Sequence, residues 1–177
     1  PPVQQQELLT LYSQLAVKHP ENPELQYSIA LLQKITGTPT VALRQINQLL
    51  EQEPNFQPAI ILKGDLLYQT GQKREALNYL TTNTRRFPAN RQMGTLYGRM
   101  LINEGELQAA QDEFERLVKR YPDPPGLRLS HALVALENQQ PALAREELIR
   151  LIEQGHHEDE ASYYLGRIEE DAGNTDQ

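Results

Sequence analysis

Proline recurs in this chain at a fixed stride. Pro20, Pro54, Pro88 and Pro122 follow one another at intervals of 34 residues, and the next step falls on His156 in another loop-like stretch. With 12 prolines among 177 residues, coincidence is a poor explanation for that series. A fixed period of about 20 to 50 residues marks a tandem array, in which each unit buries its apolar face against its neighbours. Other positions keep the same stride: Ala30, Gly64, Gly98, Ala132 and Gly166; Ala42, Ala76, Ala110 and Ala144; and Gly37, Gly71, Gly105 and Gly173, a series broken once at Gln139. A large apolar residue, Ile46, Leu80, Phe114 or Leu148, always follows the alanine by four.

Each series has a physical task. Small residues such as Gly98 and Ala110 let two antiparallel helices approach closely, and a leucine at either place overpacks the contact. The loop glycines fall where a first helix ends and the chain turns left-handed at low steric cost. The prolines end the second helix, as in Glu53-Pro54, Phe87-Pro88 and Tyr121-Pro122, because the residue before proline is driven out of the helical region. Ile46, Leu80, Phe114 and Leu148 are expected to fill the joint between one helical pair and the next. Apolar spacing within units is helical, as in Leu62, Leu66 and Leu67. The reading is a single array over 1–177: 1–22 the second helix of a leading partial unit, then units 23–56, 57–90, 91–124 and 125–158, then 159–177 as the first helix of a further unit. The unit beginning at 125 lacks both its glycine and its closing proline. It is expected to be irregular or slightly shifted, with Asn138-Gln139 replacing the glycine turn and Pro141 in the first turn of its second helix.

Charge and cysteine usage narrow the function. The net charge is −7, and seven of the 24 acidic residues but one of the 17 basic ones fall in 158–177. The body is near neutral and the end acidic, which leaves no basic face for phosphates or for an anionic membrane surface. With no cysteine there is no disulfide framework, thiolate metal site or thiol nucleophile. No apolar run approaches the length of a membrane span.

Together these positions resemble the tetratricopeptide repeat family, whose unit carries Trp, Leu-Gly and Tyr on its first helix and Ala, Phe and Pro on its second. Tyr97-Gly98 with Ala110, Phe114 and Pro122, and Leu165-Gly166 near the end, match most clearly. The family's Trp position is filled instead by Gln26, Ile60, Gly94, Arg128 and Ser162. The resemblance implies an all-α superhelical solenoid of antiparallel helix pairs that binds proteins without catalysis and without a cofactor. By the family's arrangement, first helices line a groove for an extended or helical partner segment. This places Tyr27, Leu31, Ile61, Asp65, Tyr68, Thr95, Arg99, Ile102, Leu129, Leu133, Leu136, Tyr163 and Arg167 along it. Tyr68, Arg99, Tyr163 and Arg167 are the preferred contacts, since Tyr and Arg dominate interface hot spots. Lys and Asn, which clamp a terminal carboxylate in chaperone-tail-binding members, are not what fills these positions. A narrower stretch, Ala161-Ser-Tyr-Tyr-Leu-Gly-Arg-Ile-Glu-Glu, looks like bacterial envelope repeat lipoproteins that present substrates to a carboxy-terminal processing protease. That likeness implies a periplasmic location, with a lipoprotein signal upstream.

Sharper chemistry has weak support. His156, His157, Glu158, Asp159 and Glu160 are adjacent rather than convergent, and read as a loop followed by an acidic first turn. Glu169, Glu170 and Asp171 point in different directions from one helix. Arg85 and Arg86 complement a helix C-terminus. No nucleophile elbow, phosphate loop or zinc-helix motif is present. Three functions remain: an adaptor binding a partner segment, a structural segment that associates with copies of itself, and a recruitment arm of an enzyme. The self-associating reading rests on the expectation that the chain is a fragment of a longer protein, leaving Leu165 and Ile168 without a covering helix.

Overall fold

The computed structural model describes residues 2–173, and among these the chain forms ten helices and no strand. In order they are α1 (Pro2–Lys18), α2 (Pro23–Ile35), α3 (Pro39–Gln52), α4 (Gln57–Gln69), α5 (Lys73–Arg86), α6 (Arg91–Asn103), α7 (Leu107–Arg120), α8 (Pro125–Glu137), α9 (Pro141–Glu153) and α10 (Glu158–Asp171). The chain divides into two compact units, Pro1–Phe87 with α1 to α5 and Pro88–Gln177 with α6 to α10.

Both helix types start on the 34-residue stride: α2, α4, α6 and α8 at 23, 57, 91 and 125, and α3, α5, α7 and α9 at 39, 73, 107 and 141. Second helices stop where the prolines require, with Glu53, Phe87 and Tyr121 as non-helical C-cap residues at φ of −123 to −130° and ψ of 63 to 79°. Asn22 and Asn90 cap the starts of α2 and α6 by accepting from the backbone N–H groups of Leu25 and Met93.

The unit beginning at 125 keeps the frame, contrary to the expected shift. Pro125 and Pro141 sit in the first turns of α8 and α9. At the turn between them Gln139 takes a left-handed φ of 57°, where Gly37, Gly71 and Gly105 stand at 77 to 88° elsewhere. The closing hydrogen bonds are the same in all four turns: Thr38 N–H to Gln33, Gln72 to Leu67, Glu106 to Leu101 and Gln140 to Ala135, at 2.8 to 2.9 Å. Side chains on α7 hold the non-glycine turn in place. Gln111, buried, donates to the Gln140 amide oxygen at 2.6 Å and accepts from Asn138 at 2.6 Å, so both neighbours of Gln139 are tied down. The real departure comes later, where α9 ends at Glu153 and the chain reaches α10 through Gly155 and His157 at φ of 69° and 51° in place of a proline.

The small residues of the first helices do the work expected of them. A Cβ at position 98 would stand 2.7 Å from the Phe114 ring, and one at position 64 would stand 2.7 Å from Leu80 Cδ2. Leu80 and Phe114 thus plug the interior of their own pairs. Ile46 does reach onward, clustering with Ala30 and Leu49 and also with Ala59, Leu62 and Leu66 of α4. All four plugs are fully buried, each contributing about 1.5 to 3 kcal/mol of apolar transfer.

Each inter-pair proline carries a capped carbonyl, and the donor differs every time. Gln26 Nε2 reaches Pro20 O at 3.2 Å, Arg86 Nη1 reaches Pro54 O at 3.3 Å, Arg116 Nη1 reaches Pro88 O at 2.8 Å and Arg128 Nη2 reaches Pro122 O at 3.3 Å. Arg86, expected only to complement a helix end, therefore has a specific structural partner and also bonds Asn55.

Candidate functional site

The first helices carry the candidate residues, and packing divides these into committed and available groups. In the first unit Tyr27 is half-buried, edge-on to Phe56 with ring centroids 6.0 Å apart. Burial, with Glu24 beside it, raises the hydroxyl above its usual pKa. Leu31 packs beside it on the same core. Ile61, Asp65 and Tyr68 follow on α4, all partly buried. Asp65 forms an ion pair with Lys34 of α2, each side chain 23% exposed, and accepts from Gln69 as well. It links two consecutive first helices. The Tyr68 ring lies under Lys73 Nζ at 5.4 Å.

In the second unit Thr95 bonds back to the Arg91 carbonyl at 2.9 Å, Arg99 is exposed and Ile102 is half-buried. Leu129 is a core residue, 8% exposed and clustered with Ala132, Leu148, Leu151 and Ala161, and Leu133 packs against that cluster. Leu136 lines an open cavity of about 610 Å³ between α8, α9 and α10, whose wall also includes Arg145 and Ile168. Arg145 bridges to Glu169 at 2.9 Å, which removes that glutamate from any carboxylate pair. On α10 Tyr163 is 62% exposed, stacked edge-on with Tyr164 at 5.2 Å, and Arg167 is exposed one turn away. Among the described residues no three His, Asp or Glu side chains gather as a metal site; His157 Nδ1 stands 3.4 Å from Glu160.

A buried charged cluster escaped the sequence reading. Arg128, at the family's Trp position, forms an ion pair with Glu147 of α9, each side chain 7% exposed, and His131 Nδ1 stands 3.6 Å from the same carboxylate. Burial alone would raise the Glu147 carboxyl; His131 and Arg128 outweigh it and hold the carboxyl below the usual range. The same two positions, 19 residues apart, meet in the first full pair, where Gln45 Nε2 donates to Gln26 Oε1 at 2.7 Å. In the third pair they are Gly94 and Glu113. There the missing Cβ leaves space for Glu113, which takes a two-pronged bond from Arg116 at 2.6 and 2.9 Å. The signal lay in the varied Trp position, which co-varies within the chain with the residue 19 further on.

The family model for the tetratricopeptide repeat matches residues 61–125 and 129–177, and the chain belongs to that family. Its fold is similar to that of MamA (41-end) from Desulfovibrio magneticus RS-1, at 19% identity over 84% of each chain with a TM-score of 0.71. It is also similar to TTC0263, a thermophilic tetratricopeptide protein of Thermus thermophilus, at 21% identity over 93% of each chain with a TM-score of 0.67. YrrB, a tetratricopeptide protein with an unusual peptide-binding site, aligns at 17% identity over 87% of this chain and 80% of its own, with a TM-score of 0.65. No curated protein matches the sequence.

Proposed function

We propose that this chain is a non-catalytic adaptor that holds a segment of another protein on the exposed face of its first helices. One observation carries the reading: Tyr163 and Arg167 stand exposed one turn apart on α10, and Arg99 stands exposed on α6, while the packing residues of those helices are buried. An exposed aromatic beside an exposed guanidinium suits an apolar anchor flanked by a carboxylate. Leu129 belongs to the scaffold of that face and Asp65 to its internal bracing, so neither is a contact in this reading. A peptide-binding site in the structurally similar YrrB is consistent with this use of the fold.

The finer proposal places the chain in the bacterial envelope, presenting substrates to a carboxy-terminal processing protease. It rests on the likeness of Ala161–Glu170 to such adaptors, and among the described residues no helix is long and apolar enough to cross a membrane.

The test is a binding titration with peptides that pair an apolar anchor with Asp or Glu. Arg99→Ala with Tyr68→Ala, and separately Tyr163→Ala with Arg167→Ala, are expected to weaken binding tenfold or more with helicity unchanged. Unchanged affinity in both double variants would overturn the assignment of this face. Fractionation of the full-length protein, and co-purification of a protease with it, tests the finer reading.

A further inference from the structure

We infer that α6 receives an internal, extended acidic stretch of a partner protein, in which two carboxylates four residues apart meet Arg91 and Arg99. The inference rests on the first-helix face proposed as the binding surface and specifies the chemistry and spacing of what lies on it.

The lysines and arginines of α6 to α9 divide by helix. Among the described residues, Arg116, Lys119, Arg128, Arg145 and Arg150 each hold a carboxylate, and Arg120 lies against the Tyr121 ring. Arg91 and Arg99, both exposed on α6, hold neither. The cause is in the sequence. α7 carries Asp112, Glu113 and Glu115 and α9 carries Glu146, Glu147 and Glu153, whereas α6 contains no Asp or Glu. Places one turn from the arginines, where an acid would close a pair within the helix, are taken by Thr95 and Asn103. The Thr95 hydroxyl is turned back to the Arg91 carbonyl. Two guanidinium groups on one face are thus left to solvent, and a guanidinium fork binds a carboxylate through two parallel hydrogen bonds.

Spacing selects the ligand. Eight residues along a helix separate Arg91 and Arg99 by about 12 Å. One terminal carboxylate does not span that distance, so the face suits two separate side chains. In an extended chain alternate side chains share a side, and residues i and i+4 stand about 13 Å apart. The next residue on that side, i+6, passes Arg99 toward Ile102.

That end of the face is apolar. The two repeat positions that join Lys34 to Asp65 as an ion pair are Ile102 on α6 and Leu133 on α8, both half-buried. The one acid of α8 is Glu137, its last residue. The partner segment therefore reads acid, three residues, acid, one residue, apolar.

Fluorescence anisotropy provides the test, with the whole chain and the labelled, C-terminally amidated peptide Ser-Asp-Ser-Ser-Ser-Glu-Ser-Leu-Ser. Binding is expected, and it should weaken as salt rises. Replacing the peptide's Asp with Asn, or Arg91→Gln in the protein, is expected to weaken binding about threefold, and the two together no more than either alone. The peptide's Glu and Arg99→Gln should behave as a second such pair. A peptide with its carboxylates two residues apart should bind like one with a single carboxylate. Both arginines are exposed, so folding is not at stake, and circular dichroism confirms it. No binding by the wild type, additive losses within a pair, equal binding of the two spacings, or a requirement for a free C-terminal carboxylate would each overturn the inference. Failure of the underlying face reads differently: binding of the peptide survives both Arg99→Ala with Tyr68→Ala and Tyr163→Ala with Arg167→Ala.

Discussion

Arg128 and Glu147 form an ion pair buried between α8 and α9, at the two positions where Gln26 and Gln45 meet in the first full pair. Removing one partner strands a charge in the interior. Arg128→Met is therefore expected to destabilise the second unit by about 3 to 5 kcal/mol. Arg128→Ile with Glu147→Tyr, which copies residues 60 and 79 of the second full pair, is expected to recover most of that loss. Urea unfolding of the two variants checks both.

The same pair sets an acid limit. The Glu147 carboxyl is held below its usual range in the folded chain, so its contribution to stability is fully present above the unfolded carboxylate pKa of about 4.3. That contribution is lost as pH falls through the lower folded value. Unfolding midpoints measured between pH 7 and pH 3 should fall with acid in the wild type. They should fall less steeply in the Arg128→Ile, Glu147→Tyr variant, which has no carboxyl there.

At the α6–α7 contact, Gly98→Ala puts a methyl 2.7 Å from the rigid Phe114 ring and is expected to cost about 1 to 3 kcal/mol. Adding Phe114→Leu reproduces the Ala132 and Leu148 combination found two helices later. Thermal melts should show the double variant more stable than Gly98→Ala alone.

Gln139 holds φ of 57° without being glycine. Gln139→Gly is expected to raise stability by about 1 kcal/mol by relieving the left-handed backbone. Gln111→Ala, which releases Asn138 and Gln140, is expected to lower it. Calorimetry on the two variants tests whether the α7 amide is what permits the exception.

The periodic features of this fold were legible because they arise from local rules. Pre-proline geometry ends α3, α5 and α7, and glycine turns end α2, α4 and α6. Asn138-Gln139 was legible as the turn of the unit at 125, but its regular frame was not, because the side chain that braces the turn, Gln111 on α7, is remote in sequence. Buried pairs were hidden for a different reason. Hydropathy reads Arg128 and Glu147 as surface residues, and only their spacing of 19 places them opposite each other. On the candidate face, periodicity marks Leu129 and Tyr163 as the same position of the unit. Whether that position is covered depends on the neighbouring helices, and the structure buries one and exposes the other.

Four proline carbonyls at one stride are met by Gln26, Arg86, Arg116 and Arg128, which come from three different positions of the unit. Each donor lies in the unit that follows the proline it meets, and each acceptor is a backbone carbonyl at the same place in the repeat. The lock belongs to the backbone and the key to the incoming unit, so a unit moved along the array would carry its own donor to whichever proline carbonyl preceded it.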